Sequence, residues 1–134
     1  MTVYVDSSAL LKRYLDEPDS DRFDDALSAD PQWVTARHTR VEVRRNLARA
    51  LEGRDLRAAR AQFERDWERC DVVELDERTC EVAAGIAEAT GARTLDALHL
   101  GAAQRAGGGA LPVLTADLRQ AGAARGLGWT VLGS

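Results

Sequence analysis

The sequence predicts an α/β fold, a three-layer α/β/α sandwich around a mainly parallel sheet. Three observations carry this. Short runs rich in β-branched and aromatic residues alternate with longer stretches of helical periodicity along the whole chain. The 134 residues are the size of one compact domain, expected to span 1–134 and to bury a core without disulfides or metal staples. Hydrophobic residues make up 45% and charged residues 30%, the mix of an ordinary globular domain rather than a disordered chain.

The elements follow in order. Thr2-Val3-Tyr4-Val5 reads as a buried strand. Residues 7–15 read as a helix, with Leu10, Leu11 and Tyr14 at helical spacing, until Glu17-Pro18-Asp19 breaks it. A short helix over 21–29 turns Phe23, Ala26 and Leu27 inward, and Asp30-Pro31 ends it. Gln32-Trp33-Val34-Thr35 is the second strand. Residues 38–51 form a helix with Val43, Leu47, Ala50 and Leu51 on one face, closed by Gly53. The next helix, 55–69, has Leu56, Ala59, Phe63 and Trp67 as its apolar stripe. A third strand covers 71–75. Helices follow over 77–90, ending at Gly91, and over 94–106, ending in Gly107-Gly108-Gly109. A fourth strand at 111–115, a short helix at 118–125 and a last strand at 129–132 complete the chain. Trp33, Trp67 and Trp129 belong to the core rather than to a base-stacking surface.

Several function classes drop out. No apolar run approaches the length of a membrane span. The first residues lack the basic start and apolar stretch of a signal peptide, so a cytoplasmic location is expected. Cys70 and Cys80 have neither CxxC nor metal-type spacing and read as reduced thiols. The triple glycine precedes a strand and carries no Lys, unlike a phosphate-cradling loop. GxSxG, HExxH and GxGxxG are absent. Net charge is −4, and Arg is the basic residue almost everywhere, Lys12 excepted. The balance is uneven, with a basic middle over 37–69 between two acidic flanks. Such a middle is either a pair of solvated helices with Glu–Arg pairs or a surface that faces phosphates.

Four acids hold the chemical interest. Asp6 follows the first strand, in Val5-Asp6-Ser7-Ser8-Ala9-Leu10-Leu11, and Asp117 follows the fourth, in Leu114-Thr115-Ala116-Asp117-Leu118. Ligands of open α/β sheets bind beyond the carboxyl ends of the strands. Two parallel central strands would therefore bring both acids to one edge. Asp96, in Thr94-Leu95-Asp96-Ala97-Leu98-His99-Leu100, falls in the first turn of its helix behind Thr94 as N-cap. Glu42, in Arg40-Val41-Glu42-Val43-Arg44, lies near the start of another helix. Each acid alone has an ordinary structural account: Asp6 and Asp117 as caps, Asp96 as a dipole-favoured acid, Glu42 paired with Arg45 or Arg49.

As a set the acids point elsewhere. Two unit charges 4 Å apart repel by roughly 4 kcal/mol at an effective dielectric of about 20. Four clustered carboxylates therefore need a cation or protons. All-oxygen ligands select Mg²⁺ or Mn²⁺, and a metal so held acidifies bound water and neutralises charge building on a phosphate. That is the chemistry of a metal-dependent phosphodiesterase. A different class stays open on the residues alone: an inert α/β binding module whose acids are caps and whose Arg surface holds a protein partner. A receiver domain wants an acidic pair after the first strand and a late Lys, and a haloacid-dehalogenase-type phosphatase wants Asp two residues after Asp6. Ser7, Ser8 and the lone Lys12 fit neither. His99, one turn after Asp96, reads as a hydrogen-bonded core residue, because an oxygen-rich Mg²⁺ site does not want imidazole.

These stretches resemble the motifs of PIN-domain nucleases. Val3-Tyr4-Val5-Asp6-Ser7-Ser8-Ala9-Leu10 is similar to the family's opening, a D-[TS]-S-A stretch after the first strand, with Ser7 where Thr is more usual. Thr94-Leu95-Asp96-Ala97-Leu98-His99-Leu100-Gly101-Ala102-Ala103 is similar to the third acidic motif, Thr115-Ala116-Asp117 to the fourth, and Glu42 to the second. The resemblance covers essentially the whole chain. A free-standing domain of this size looks most like a VapC-type toxin of a bacterial toxin–antitoxin pair. The resemblance implies a Mg²⁺-dependent endoribonuclease, with Mn²⁺ as a substitute. Asp6 and Asp96 would be the principal ligands. Glu42 and Asp117 would complete the acidic site and help activate the attacking water, and Ser8 and Thr115 would support the ligands. It further implies a structured RNA substrate such as tRNA or ribosomal RNA, a homodimer, and a cognate antitoxin that threads a peptide over the active site. Arg37, Arg40, Arg44, Arg45 and Arg49, around Glu42 in sequence, are then candidates to hold RNA phosphates. A housekeeping nuclease of the same family, without an antitoxin, is the alternative.

Overall fold

A computed structural model describes residues 2–134. Strands β1 (Thr2–Val5), β2 (Gln32–Ala36), β3 (Asp71–Val73), β4 (Val113–Leu114) and β5 (Val131–Leu132) form one sheet in the order β3-β2-β1-β4-β5. Every pairing is parallel. Helices α1 (Ser7–Leu11), α2 (Ser20–Ala29), α3 (Thr39–Ala50), α4 (Gly53–Arg69), α5 (Glu77–Thr90), α6 (Thr94–Gly107) and α7 (Leu118–Gly126) connect them. The chain builds outward from β1 to β3, then returns to the other side of β1 with β4. Strand order therefore reverses between β1 and β4, and in open α/β sheets that reversal leaves a crevice at the carboxyl ends of the strands.

Alternation along β1 sends neighbouring side chains to opposite faces. Val3 and Val5 pack, fully buried, with Leu10, Phe23, Leu27, Val43, Leu47 and Phe63 from α1 to α4. Tyr4, Val34, Ala36 and Val113 meet Ala102 and Ala103 of α6 on the other face. Ile86, Leu100 and Ala124 join α5, α6 and α7. The result is the three-layer sandwich. The small inner face of α6 lets it press against α5: a Cβ added to Gly101 would stand 2.8 Å from the Ala83 Cβ.

The structure departs from the sequence expectations at several boundaries. The helix expected over 7–15 ends at Leu11, and the backbone continues in i→i−3 turns, Lys12 N–H to Ala9 O and Tyr14 N–H to Leu11 O. Gly53 does not close α3. Leu51 caps that helix, and Gly53, at φ +57°, opens α4 after a two-residue connection. Thr94 is not an N-cap; Arg93 is, and its side chain makes no cap bond. The fourth strand shrinks to Val113–Leu114, consistent with Pro112 having no N–H to offer a ladder. The third and fifth strands also shorten, to Asp71–Val73 and Val131–Leu132.

One buried charge had no local signal. Asp66 lies inward on α4 and accepts from Arg13 Nε at 2.9 Å and from the Tyr14 hydroxyl at 2.6 Å. Burial of that carboxylate requires such partners, and both come from the turn after α1, far away in sequence. Trp33 is buried, while Trp67 and Trp129 pack half-buried against the core. Cys70 and Cys80 are free thiols. Among the described residues no helix is long and apolar enough to cross a membrane.

Candidate active site

Asp6 leaves the end of β1 directly into the crevice beside β4, its N–H bonded to Leu114 O at 3.2 Å. The side chain is 3% exposed. Its Oδ1 accepts from Ser8 Oγ at 2.7 Å and from Ala9 N–H at 3.0 Å, so it caps α1. Its Oδ2 accepts from Thr115 Oγ1 at 2.5 Å. Ser8 and Thr115 thus hold the two oxygens of Asp6, and Ser8 also accepts from Ala116 N–H at 3.0 Å. Asp117, half-buried, caps α7 by accepting from Arg119 N–H at 2.8 Å and Gln120 N–H at 3.3 Å. Asp96 occupies the first turn of α6, also half-buried. The cap bonds fix the orientation of Asp6 and Asp117.

Glu42 does not pair with Arg45 or Arg49. Its Oε1 accepts from Ser7 Oγ at 3.0 Å and from His99 Nε2 at 2.7 Å, which ties α3 to α1 and α6. A carboxylate only accepts, so His99 carries its proton on Nε2 and its Nδ1 accepts from the Tyr4 hydroxyl at 2.8 Å. The His38 ring stacks on His99 with centroids 4.1 Å apart, its Nε2 3.2 Å from Leu95 O and 3.6 Å from Glu42 Oε1.

The charges of these groups act on one another. Burial pushes the Asp96 carboxyl above its usual range, and the charges of Asp117, Asp6 and Glu42 push it further, against His99. Asp6 is raised too, chiefly by burial, against the favourable hydrogen bonds from Thr115, Ser8 and Ala9 and the pull of His99. Burial works to raise Glu42 as well, but the His99 hydrogen bond, His38 and Ser7 together hold it below its ordinary value. Burial, reinforced by His99, lowers His38 to about 4, so it is neutral at pH 7. Burial, then the charges of Asp6 and Glu42, drive Tyr4 far up and keep it a donor.

His38, Glu42 and His99 offer donor atoms within 4.8 Å of one another, a spacing a metal could bridge. Both nitrogens of His99 are engaged, by Glu42 and Tyr4, and His38 Nε2 lies on Leu95 O, while the buried His38 Nδ1 has no hydrogen-bond partner. The trio orients Glu42. Sequence reasoning missed this. His99 is the buried, hydrogen-bonded residue that the sequence suggests; the i,i+4 spacing of His38 and Glu42 was the available signal, and nothing local announced that Glu42 is the partner of His99.

Of the arginines of the basic middle, Arg40, Arg44, Arg45 and Arg60 share one cleft. Arg37 is bound to Glu74 and Arg40 to Glu64. Arg49 lines a separate cleft, shared with Ser8 and Asp117.

A parallel five-stranded sandwich with an acid after each of the two strands that flank its strand-order reversal defines a recognisable class of protein. The PIN-domain family model matches residues 3–126, and the chain belongs to that family. It is 35% identical to Ribonuclease VapC46 of Mycobacterium tuberculosis over 133 residues, 97% of this chain and 95% of that protein. Its fold matches a toxin–antitoxin complex from Klebsiella pneumoniae, with TM-score 0.67, 16% identity and 86% of each chain covered. It also matches VapC20 of Mycobacterium tuberculosis, a sarcin–ricin loop cleaving toxin, with TM-score 0.72 and 19% identity over 90% of this chain and 94% of that one.

Proposed function

We propose that this chain is a Mg²⁺-dependent endoribonuclease toxin, held in check by a cognate antitoxin. One observation carries the reading: the strand-order reversal sets Asp6 beside the segment that carries Asp117, with Thr115 Oγ1 bonded to Asp6 Oδ2, and the charges of Asp117, Asp6 and Glu42 all raise the carboxyl of Asp96. A pocket of that charge calls for a counter-ion. Its donors are carboxylate oxygens, the set that suits Mg²⁺ and accepts Mn²⁺. Asp6 and Asp96 would hold the ion, with Asp117 and Glu42 beside it. When bound, the ion acidifies a water and offsets charge developing on the phosphate.

The protein's own share is orientation and proton handling. Ser8, Thr115 and the Ala9 N–H lock Asp6, and the start of α7 locks Asp117. Glu42, ionised and aimed by His99 and Ser7, is the group placed to take a proton from the attacking water. Tyr4 keeps the His99 ring turned toward Glu42. An inert binding module gains nothing from burying Asp96 in the field of three acids, which disfavours that alternative.

The names of the relatives support RNA as the polymer cut: one is a ribonuclease and another cleaves the sarcin–ricin loop. The Klebsiella complex supports an antitoxin partner. A structured substrate such as tRNA or ribosomal RNA, a homodimer and a cytoplasmic location complete the proposal. Purified protein incubated with total RNA should cleave it in Mg²⁺ or Mn²⁺ and not in EDTA, and Asp96→Asn should abolish cleavage while leaving the fold intact. Equal cleavage in EDTA, or full activity of the variant, would overturn the reading.

A further inference from the structure

A cleft of about 470 Å³ lies where the end of α5, the start of α6 and one side of α7 meet, and it opens on Asp96. Its cations are Arg93 and Arg119, and its only acid is Asp96 itself. Both arginines are exposed, and among the described residues neither side chain forms an ion pair or a hydrogen bond. That sets them apart from Arg13, Arg37 and Arg40, which are bound to Asp66, Glu74 and Glu64. The walls are otherwise small. A Cβ built on Gly91, Gly122 or Gly126 meets nothing within 4 Å. Because Arg93 gives α6 no side-chain cap, the first amides of that helix add positive potential to the cleft. A second cleft, about 620 Å³, opens on Asp117 and shares no lining residue with the first. Its cations are Lys12, held by Glu17 and Asp19, and Arg49, which is free of such partners among the described residues.

A chain of net charge −4 with a carboxylate cluster at its centre repels a polyanion. Free cations beside the cluster are what can hold a phosphate there, and the guanidinium fork matches phosphate oxygens. We propose that Arg93 and Arg119 form a backbone-phosphate subsite next to the scissile phosphate, so that the RNA strand runs from this cleft across the carboxylates toward Arg49. The subsite rests on the nuclease reading above and adds to it the path of the strand. It is separate from the Arg-rich stretch of α3, since Arg93 and Arg119 stand isolated in sequence.

The test joins binding and kinetics. Arg93→Gln/Arg119→Gln is made in the active chain and in an Asp6→Asn background. A short labelled single-stranded RNA is titrated against the Asp6→Asn proteins at several salt concentrations, and KM is measured for the active ones. The double variant should lower the slope of log K against log salt by about 1.4, two phosphates at roughly 0.7 each, and raise KM roughly tenfold with kcat little changed. Gly122→Glu, which adds a charge to an open wall and leaves both arginines in place, should raise KM in the same way, and the neutral Gly122→Gln far less. An unchanged salt slope and KM in the double variant would overturn the subsite, as would equal effects of Gly122→Glu and Gly122→Gln. If the wild type cuts no RNA while the Asp6→Asn protein shows the arginine-dependent slope, the subsite stands as a polyanion site and the nuclease reading falls.

Discussion

Asp6 accepts three hydrogen bonds and still binds its proton more tightly than a free carboxyl, because burial outweighs them. Asp96 is raised in the same direction. A raised native value means that the folded protein takes up protons more readily than the unfolded chain. The stability contributed by these two groups is therefore greatest at acid pH and falls as pH rises through the ordinary carboxylate range toward the raised values. In EDTA at neutral pH, Asp6→Asn and Asp96→Asn should each raise Tm. Mg²⁺ should raise the Tm of the wild type and not of the variants, and thermal melts with and without metal check both. Tyr4→Phe makes a different point. It removes the donor to buried His99 Nδ1 and should cost about 1–3 kcal/mol in denaturant unfolding. At this level the four acids were legible because strand ends and helix starts are marked by local sequence. The His38–Glu42–His99 contact was not, since its members meet only through the packing of α3 on α6.

Among the elements, α6 does most to place the site, because it carries Asp96 and His99 on a helix that α5 holds at close range. Gly101 is the contact point. Gly101→Ala would bring its Cβ to 2.8 Å from the Ala83 Cβ and 3.0 Å from the Ala83 Cα, so the helices must part. That overpacking should cost about 1–3 kcal/mol and lower activity by shifting Asp96. Gly122→Ala is the counterpart: it meets open space within α7 and should stabilise by about 0.5–1 kcal/mol. Urea unfolding of the two variants separates the cases. Helices were legible where a stripe and a stop signal coincide, as with Glu77–Thr90 ending at left-handed Gly91. The ends that escaped were decided by tertiary partners. The turn after α1 is set by Arg13 and Tyr14 reaching Asp66, and Gly53 serves the entry to α4 instead of the exit from α3.

At the level of the whole molecule, strand order does what no single residue can. With β1 central and β4 beside it, residues more than a hundred positions apart, Asp6 and Thr115, come within hydrogen-bond distance. Alternating strands and helices made the parallel sandwich legible, and the ligand rule for such sheets pointed to its carboxyl edge. The order β3-β2-β1-β4-β5 was not legible, because nothing local fixes on which side of β1 the chain returns. At this level two of the Glu–Arg pairs that a basic middle suggests are formed, Arg37 with Glu74 and Arg40 with Glu64, while the free arginines beside Asp96 come from the acidic C-terminal flank. Under the proposed function, these carboxylates converge on a hard divalent cation. Mn²⁺ binding followed by its free-ion EPR signal measures that directly. The wild type should remove Mn²⁺ from solution saturably at neutral pH, and Asp6→Asn and Asp96→Asn should each abolish the uptake. Uptake that persists in both variants, or none in the wild type, would contradict it.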